Sequence, residues 1–375
     1  MRALVVTNDF PPRQGGIESF VLALARRLPP EAVVVYTAAM PGDRDVDRTL
    51  PFPVYRDSSA TLLPTPGVSR RARRLLRAEG CTSVLFGAAA PLGLLAPALR
   101  EAGARRIVGL THGHETWWAR VPGARAALRR IGDATDVLTY LGDYTRRIIA
   151  GALSDAATAR MVRLPPGVDP DRFRPGAGGA RVRRRLGIDP DRPVVACVAR
   201  LKPRKGQDML VRSLPWLLRR VPDALVLLVG GGPDRPRLER LVDSVGVRRH
   251  VLFTGPVPWA ELPPYFDAAD VFAMPCRTRR LGLEPEALGI VFLEASATGL
   301  PVVVGDSGGA PDACLPGQTG FVVDGTSPAR IAARVGDLLL DRDLAARMGR
   351  RGRAWMREAW HWDDLAARLA ALLDG

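Results

Sequence analysis

Short apolar runs, each about one strand long, recur between amphipathic stretches along almost the whole chain. This alternation constrains the fold more than any other feature. In the first half ALVV (3–6), AVVVYT (32–37), SVLFG (83–87), RIVGLT (106–111), DVLTYL (136–141) and MVRLPP (161–166) read as buried strands. Helix-like segments lie between them, among them IESFVLALARRL (17–28), SRRARRLLRAEG (69–80) and GDYTRRIIAGAL (142–153). Strands lacking polar alternation and separated by helices imply a parallel sheet covered on both faces. The stretch LPPGVDPDRFRPGAGG (164–179), dense in Pro and Gly, breaks the pattern and predicts a domain boundary. A second series follows: VVACVAR (194–200), ALVLLVG (224–230), VLFTG (251–255), VFAMP (271–275), PVVVG (301–305) and GFVV (320–323). The expected architecture is α/β, with two Rossmann-like, doubly wound domains at 1–167 and 168–355 and a last helical segment at 356–375. Ligands of open sheets bind outside the carboxyl ends of the strands, so a cleft between two such domains is the expected site.

A length of 375 residues with 47% hydrophobic content is ample for two cores. The four cysteines, Cys81, Cys197, Cys276 and Cys314, are widely spaced and form no C-x-x-C pair, which favours reduced thiols in a cytoplasmic protein over zinc or disulfides. The apolar run in MRALVVTNDFPP is too short for a signal peptide. VLFGAAAPLGLLAPAL (84–99) falls short of the roughly 20 residues that span a bilayer and holds two prolines and two glycines. It reads as a buried strand followed by a core helix. The formal charge of +15 admits nucleic acid, anionic lipid or phosphorylated small molecules as partners. Arg-rich composition alone also produces such a charge. A nucleic-acid binder would need basic residues interleaved with aromatics, or a reading module, and neither is found.

Two of the 54 basic residues are lysines, and both sit in VARLKPRKGQD (198–208). Arg200 is expected at a strand end, Lys205 follows five residues later, and Gly206 lets the backbone turn. Such a cation pair suits a diphosphate, and a compact ammonium is not replaced by a planar guanidinium. In EALGIVFLE, Glu286 and Glu294 are eight apart. Leu-Gly-Ile-Val between them predicts a loop entering a helix, with Glu286 in the loop and Glu294 on the first turns. Free N–H groups at such a helix start bind anionic oxygen. Gly15 and Gly16, before the first helix, have the same physics, and GGGPD (230–234) is a second Gly-rich strand-to-helix turn. Neither is a dinucleotide fingerprint or a P-loop. His112 and His114 in THGHE are read as a polar pair, with no further His near enough for a metal. The D-x-D triplets at 43–45, 169–171, 189–191 and 341–343 fall where Asp caps turns and helices.

Taken in order, GG-I-E, RLKPRKG, GGGP, the two glutamates eight apart and GDSGGAPDA (305–313) resemble the family-4 retaining glycosyltransferases of GT-B fold over essentially the whole chain. Within that family THGHE, LGLEPEALGIVFLEASATGLPV and SGGAP are similar to actinobacterial mannosyltransferases acting on phosphatidylinositol mannosides. The resemblance implies that Arg200 and Lys205 hold a nucleotide diphosphate, with Gly15 and Gly16 meeting it from the first domain. Glu294 would bind the ribose hydroxyls, and the last segment, 356–375, would cross back to pack on the first domain. Glu286 and the backbone of Gly289, Ile290 and Val291 would contact the donor sugar and phosphates, with Gly231 and Val257 also lining the donor site. His112 would lie beside the donor sugar, with His114 as the alternative. Catalytic roles thus fall on His112, Arg200, Lys205 and Glu286, and Asp9, His114, Arg70, Arg71 and Arg74 are expected on the acceptor side. Departures from the family pattern are Asp312, where relatives often carry Glu, and Cys276, where many carry Ser.

The implied reaction is a retaining, front-face transfer of mannose from GDP-mannose to a hydroxyl of a lipid-linked acceptor. UDP- or ADP-sugars with another acceptor are the alternative, and a sugar phosphorylase of similar architecture is a rival. No paired carboxylates are placed as in retaining hydrolases, and the departing diphosphate is expected to help take the acceptor proton. No cofactor or metal is expected. The basic helix SRRARRLLRAEG could hold the protein at the inner face of a membrane. The oligomeric state is left open.

Overall fold

The computed structural model describes residues 1–13, 15–280 and 282–375. The chain divides into two compact units. One comprises Met1–Pro166 together with Trp362–Gly375, and the other Gly167–His361.

The first unit carries a seven-stranded parallel sheet of β1 (Ala3–Thr7), β2 (Val33–Ala38), β3 (Val54–Asp57), β4 (Ser83–Phe86), β5 (Arg106–Gly109), β6 (Val137–Tyr140) and β7 (Met161–Arg163), in the order β3-β2-β1-β4-β5-β6-β7. Its central strands are buried along their length, which is why each reads as an unbroken apolar run. β3 was not expected. VYRD is half-buried at the sheet edge, and its mixed polarity gives no strand-like apolar run.

The second unit has β8 (Val194–Val198), β9 (Leu225–Val229), β10 (Val251–Gly255), β11 (Val271–Met274), β12 (Val302–Gly305) and β13 (Gly320–Val323), parallel and ordered β10-β9-β8-β11-β12-β13. In each unit the strand order reverses beside the first strand, between β1 and β4 and between β8 and β11. Loops part at such a switch point and leave a crevice.

The expected last segment begins later than residue 356. Residues 356–359 are the final turn of the helix Arg342–Ala359, and Met356 is fully buried in the second unit. The chain returns to the first unit only with the helix Trp362–Asp374. That helix buries Leu365, Leu369 and Leu373, and its carbonyls at Leu372 and Leu373 accept from Arg106 and from Ser83 Oγ.

The D-x-D triplets act as turn and helix-start elements. Asp341 caps the helix Arg342–Ala359 by accepting from Leu344 N at 2.8 Å, and Asp169 and Asp189 accept from the amides two residues on. The four cysteines are free and buried. Among the described residues no helix is long and apolar enough to cross a membrane.

Candidate active site

In the second unit the chemistry gathers at the carboxyl ends of β8 and β11. β8 ends at Val198, and the following loop carries Arg200, Lys202 and Lys205 before Gly206 opens the helix Gln207–Leu217. Gly206 has φ 81°, and a Cβ there would lie 1.9 Å from the Pro275 carbonyl oxygen of the loop after β11. Only glycine lets the two loops approach so closely.

From the β11 side, Glu286 comes back to meet Lys205, with Nζ 2.8 Å from Oε2 and Arg204 Nε at 3.9 Å from the same oxygen. Glu286 is 5% exposed. Burial alone would raise its carboxyl, but Lys205 and Arg204 outweigh that and hold it below the usual range. Its main chain is clamped as well: Glu286 N donates to Ser307 Oγ at 3.1 Å, and Gly309 N donates to Glu286 O at 2.9 Å. Gly308, at φ 57°, would drive a Cβ to 2.2 Å from that same oxygen. The S-G-G sequence is therefore the grip on Glu286.

Glu294 stands on the second turn of the helix Ile290–Ala297, whose first residue follows Gly289. The N–H groups of Ile290 and Val291 lie in that helix's first turn, where no intrahelical acceptor exists. Glu294 is 4% exposed, and burial pushes its carboxyl up to about 7, against a hydrogen bond from Trp259 Nε1 to Oε1 at 2.9 Å. Trp259 follows β10, two residues after Val257, and the Arg172 guanidinium lies over its ring at 3.6 Å from the centroid. Gly231, after β9, accepts at its carbonyl from Leu201 N.

A second charged cluster ties the same loops together. Arg277, after β11, forks onto Asp208 at 2.8 and 2.7 Å, while Arg237 forks onto Asp234 and reaches Asp208 at 3.4 Å. Arg277 N also donates to Arg204 O at 2.9 Å. The loops after β8, β9 and β11 are thereby fixed to one another. Cys276 fits its site as a buried thiol donating to Gly305 O at 3.5 Å, with burial pushing its ionisation up.

In the first unit the loop after β5 holds His112. Its Nε2 is 2.7 Å from the Gly87 carbonyl, which can only accept, so Nε2 carries the proton. Burial lowers the imidazolium's ionisation despite nearby Glu115, leaving a neutral ring with a lone pair on Nδ1. Glu115, fully buried, accepts from His112 N at 2.8 Å and lies 3.2 Å from His114 Nε2. The two imidazoles are stacked with centroids 6.2 Å apart. Asp9 is half-buried, its amide bound to Thr7 Oγ1, and its charge bears on His112. Gly15 and Gly16 open the helix Gly16–Ala25, with the Glu18 carboxylate folded over Gly15. Arg70, Arg71 and Arg74 project from the exposed face of the helix Pro66–Ala78, whose other face buries Val68, Ala72, Leu75 and Leu76. Among the described residues no hydrogen bond or ion pair joins these arginines to the histidines.

Two family models match the chain, "Glycosyltransferase Family 4" over residues 14–172 and "Glycosyl transferases group 1" over 180–355. The chain is 51% identical over 377 residues to a GDP-mannose-dependent alpha-(1-6)-phosphatidylinositol monomannoside mannosyltransferase of Mycolicibacterium smegmatis, covering 99% of this chain and 98% of that one. It is 41% identical to a GDP-mannose-dependent monoacylated alpha-(1-6)-phosphatidylinositol monomannoside mannosyltransferase of Corynebacterium glutamicum, covering 99% and 97%. This chain belongs to the family-4 GT-B glycosyltransferases. Solved structures carry the same fold: Anabaena HepE in complex with UDP matches with a TM-score of 0.83 at 18% identity, covering 100% of both chains. Sucrose-phosphate synthase from Thermosynechococcus elongatus matches with 0.82 at 22% identity, covering 99% and 98%.

Within this glycosyltransferase the structure brings Lys205 and Glu286 into contact and places Glu294 on the second turn of the helix that follows. Arg200 shares the Lys205 loop but remains exposed, and among the described residues it makes no ion pair. Sequence reasoning did not find Arg204, Asp208, Arg277, Ser307 or Trp259. Ser307 lay inside a quoted motif, and its signal was there to be used. The others are joined by contacts 35 to 82 residues apart in sequence, which local pattern does not reveal.

Proposed function

We propose that this enzyme transfers mannose, with retention of configuration, from GDP-mannose to a hydroxyl of a phosphatidylinositol mannoside. The observation that carries the reading is the full-length likeness to the M. smegmatis mannosyltransferase at 51% identity. The geometry supports it. Lys205, half of a buried ion pair, and exposed Arg200 are two cations on one loop suited to a departing diphosphate, and donors of this kind are each worth on the order of 3 kcal/mol when preorganised. The glycosidic C–O bond to the diphosphate breaks as the acceptor oxygen bonds to the same face of the anomeric carbon, and the acceptor proton passes to the leaving diphosphate. No metal enters this reading, since the positive charge comes from side chains. On the acceptor side His112 presents a neutral ring able to accept from a sugar hydroxyl at Nδ1. The exposed arginines of the helix Pro66–Ala78 supply about 1 kcal/mol each towards an anionic lipid surface.

The test is turnover with phosphatidylinositol monomannoside vesicles and GDP-, UDP- or ADP-linked sugars, the product's anomeric configuration being read by NMR. The α-mannoside from GDP-mannose, undiminished by a chelator, is expected. Exclusive use of a UDP- or ADP-sugar would replace the donor, and manganese-restored activity after chelation would replace the metal-free step.

A further inference from the structure

Trp259 is 55% exposed, yet its ring is held from three directions. Its Nε1–H donates to Glu294 Oε1 at 2.9 Å. The Arg172 guanidinium covers the ring at 3.6 Å, with Arg172 Nη2 donating to the Trp259 carbonyl at 3.2 Å. Phe173, buried, meets it at 6.2 Å between centroids. Arg172 and Phe173 are held in turn by Asp169, whose Oδ1 and carbonyl accept their amides. An indole fixed this firmly and still more than half open to solvent is a preorganised flat surface. Isolated exposed aromatics need no explanation, but this one shares a hydrogen bond with the carboxylate read as the ribose anchor.

The chemistry of a nucleoside supplies the occupant. The base is bonded to the ribose carbon next to the one that bears the 2′-hydroxyl. A carboxylate that accepts from the ribose hydroxyls therefore has the base as its near neighbour. We infer that Trp259 is the stacking wall for the nucleobase of the donor, making it a specificity-determining residue of the nucleotide site. This rests on the reading of Glu294 as the ribose-binding group. Arg172 on one face draws π-density from the indole, which suits the other face to an electron-rich purine. A larger two-ring base also covers more of the indole than a pyrimidine does.

The test compares Trp259→Phe and Trp259→Leu with the unaltered enzyme, titrating GDP and, as a probe without a base, inorganic pyrophosphate, by calorimetry. Stacking of a base on an aromatic corresponds to roughly 5- to 140-fold in affinity. Trp259→Leu is expected to weaken GDP within that range and to leave pyrophosphate binding unchanged. Trp259→Phe, which keeps an aromatic face but loses the bond to Glu294, should retain most of the GDP affinity. Equal loss in both variants would assign the effect to the Glu294 bond and overturn the inference. Unchanged or tighter GDP binding in Trp259→Leu, or parallel loss of pyrophosphate, would overturn it too. An unaltered enzyme that binds GDP no better than pyrophosphate would instead sink the donor reading beneath it.

Discussion

Glu286 and Glu294 are the same residue type, eight positions apart and similarly buried, and their surroundings push them in opposite directions. Glu286 faces Lys205 at 2.8 Å and Arg204 at 3.9 Å, and its carboxyl is held low. Glu294 accepts from a neutral indole with the Arg172 charge behind it, and burial outweighs both, so its carboxyl rises to about 7. A buried carboxylate needs a charge partner, and a neutral donor does not offset the loss of water. The first region is thus a charged pair, and the second is a carboxyl that takes up a proton at a pH where the first stays ionised.

The sharpest way to break this contrast is Lys205→Ala. It removes the cation proposed for the leaving diphosphate and strands Glu286 as a buried charge. Transfer is expected to fall by about 10²- to 10³-fold, and unfolding free energy by about 3 kcal/mol or more. Adding Glu286→Gln should restore stability in a denaturant titration without restoring transfer. Recovery of both would show that the lysine serves the fold alone.

Glu294→Gln probes the opposite case. With its carboxyl raised from 4.5 to about 7, the folded state holds the extra proton between those values. Stability therefore falls as pH rises through that window and levels off above it. Glutamine mimics the protonated form and its amide oxygen still accepts from Trp259. The variant should gain on the order of 3 kcal/mol at pH 8 and nothing at pH 4. Melting curves at the two pH values check this, and an equal gain at both would refute the raised carboxyl. Donor affinity should meanwhile fall, since the proposed ribose contacts would lose their charged acceptor.

A smaller effect is expected for Ser307→Ala, which deletes the hydroxyl holding the Glu286 amide. About 1 kcal/mol of stability should be lost, together with several-fold in kcat. A change in KM alone would point away from Glu286. Lys202→Ala closes the series. The loop uses the Lys202 carbonyl, which accepts from Lys205 N at 2.9 Å, and the side-chain change should stay within about 0.5 kcal/mol and leave turnover intact. Comparable losses at Lys202 and Lys205 would erase the distinction between them.

Much of the fold was legible because a parallel sheet buries both faces of its strands. Val33–Ala38 and Leu225–Val229 leave no polar alternation to confuse the reading. β3 was illegible for the converse reason, being a half-buried edge strand. The later return of the chain was missed because nothing between residues 342 and 359 breaks a helix, and only burial of Trp360 marks its end. At the site, the order of motifs pointed to Lys205, Glu286 and Glu294. The partners that set their charge come from other loops, as Trp259 does for Glu294, and only the folded chain joins them.

The helix Trp362–Asp374 gives the first unit a discontinuous pedigree. Its Leu369 and Leu373 complete a core laid down by the first 166 residues. Between that sheet and its covering helix lie residues 167–361, the whole of the second unit. The first core therefore closes through contacts between segments far apart in sequence, and such non-local pairing costs loop entropy and slows folding.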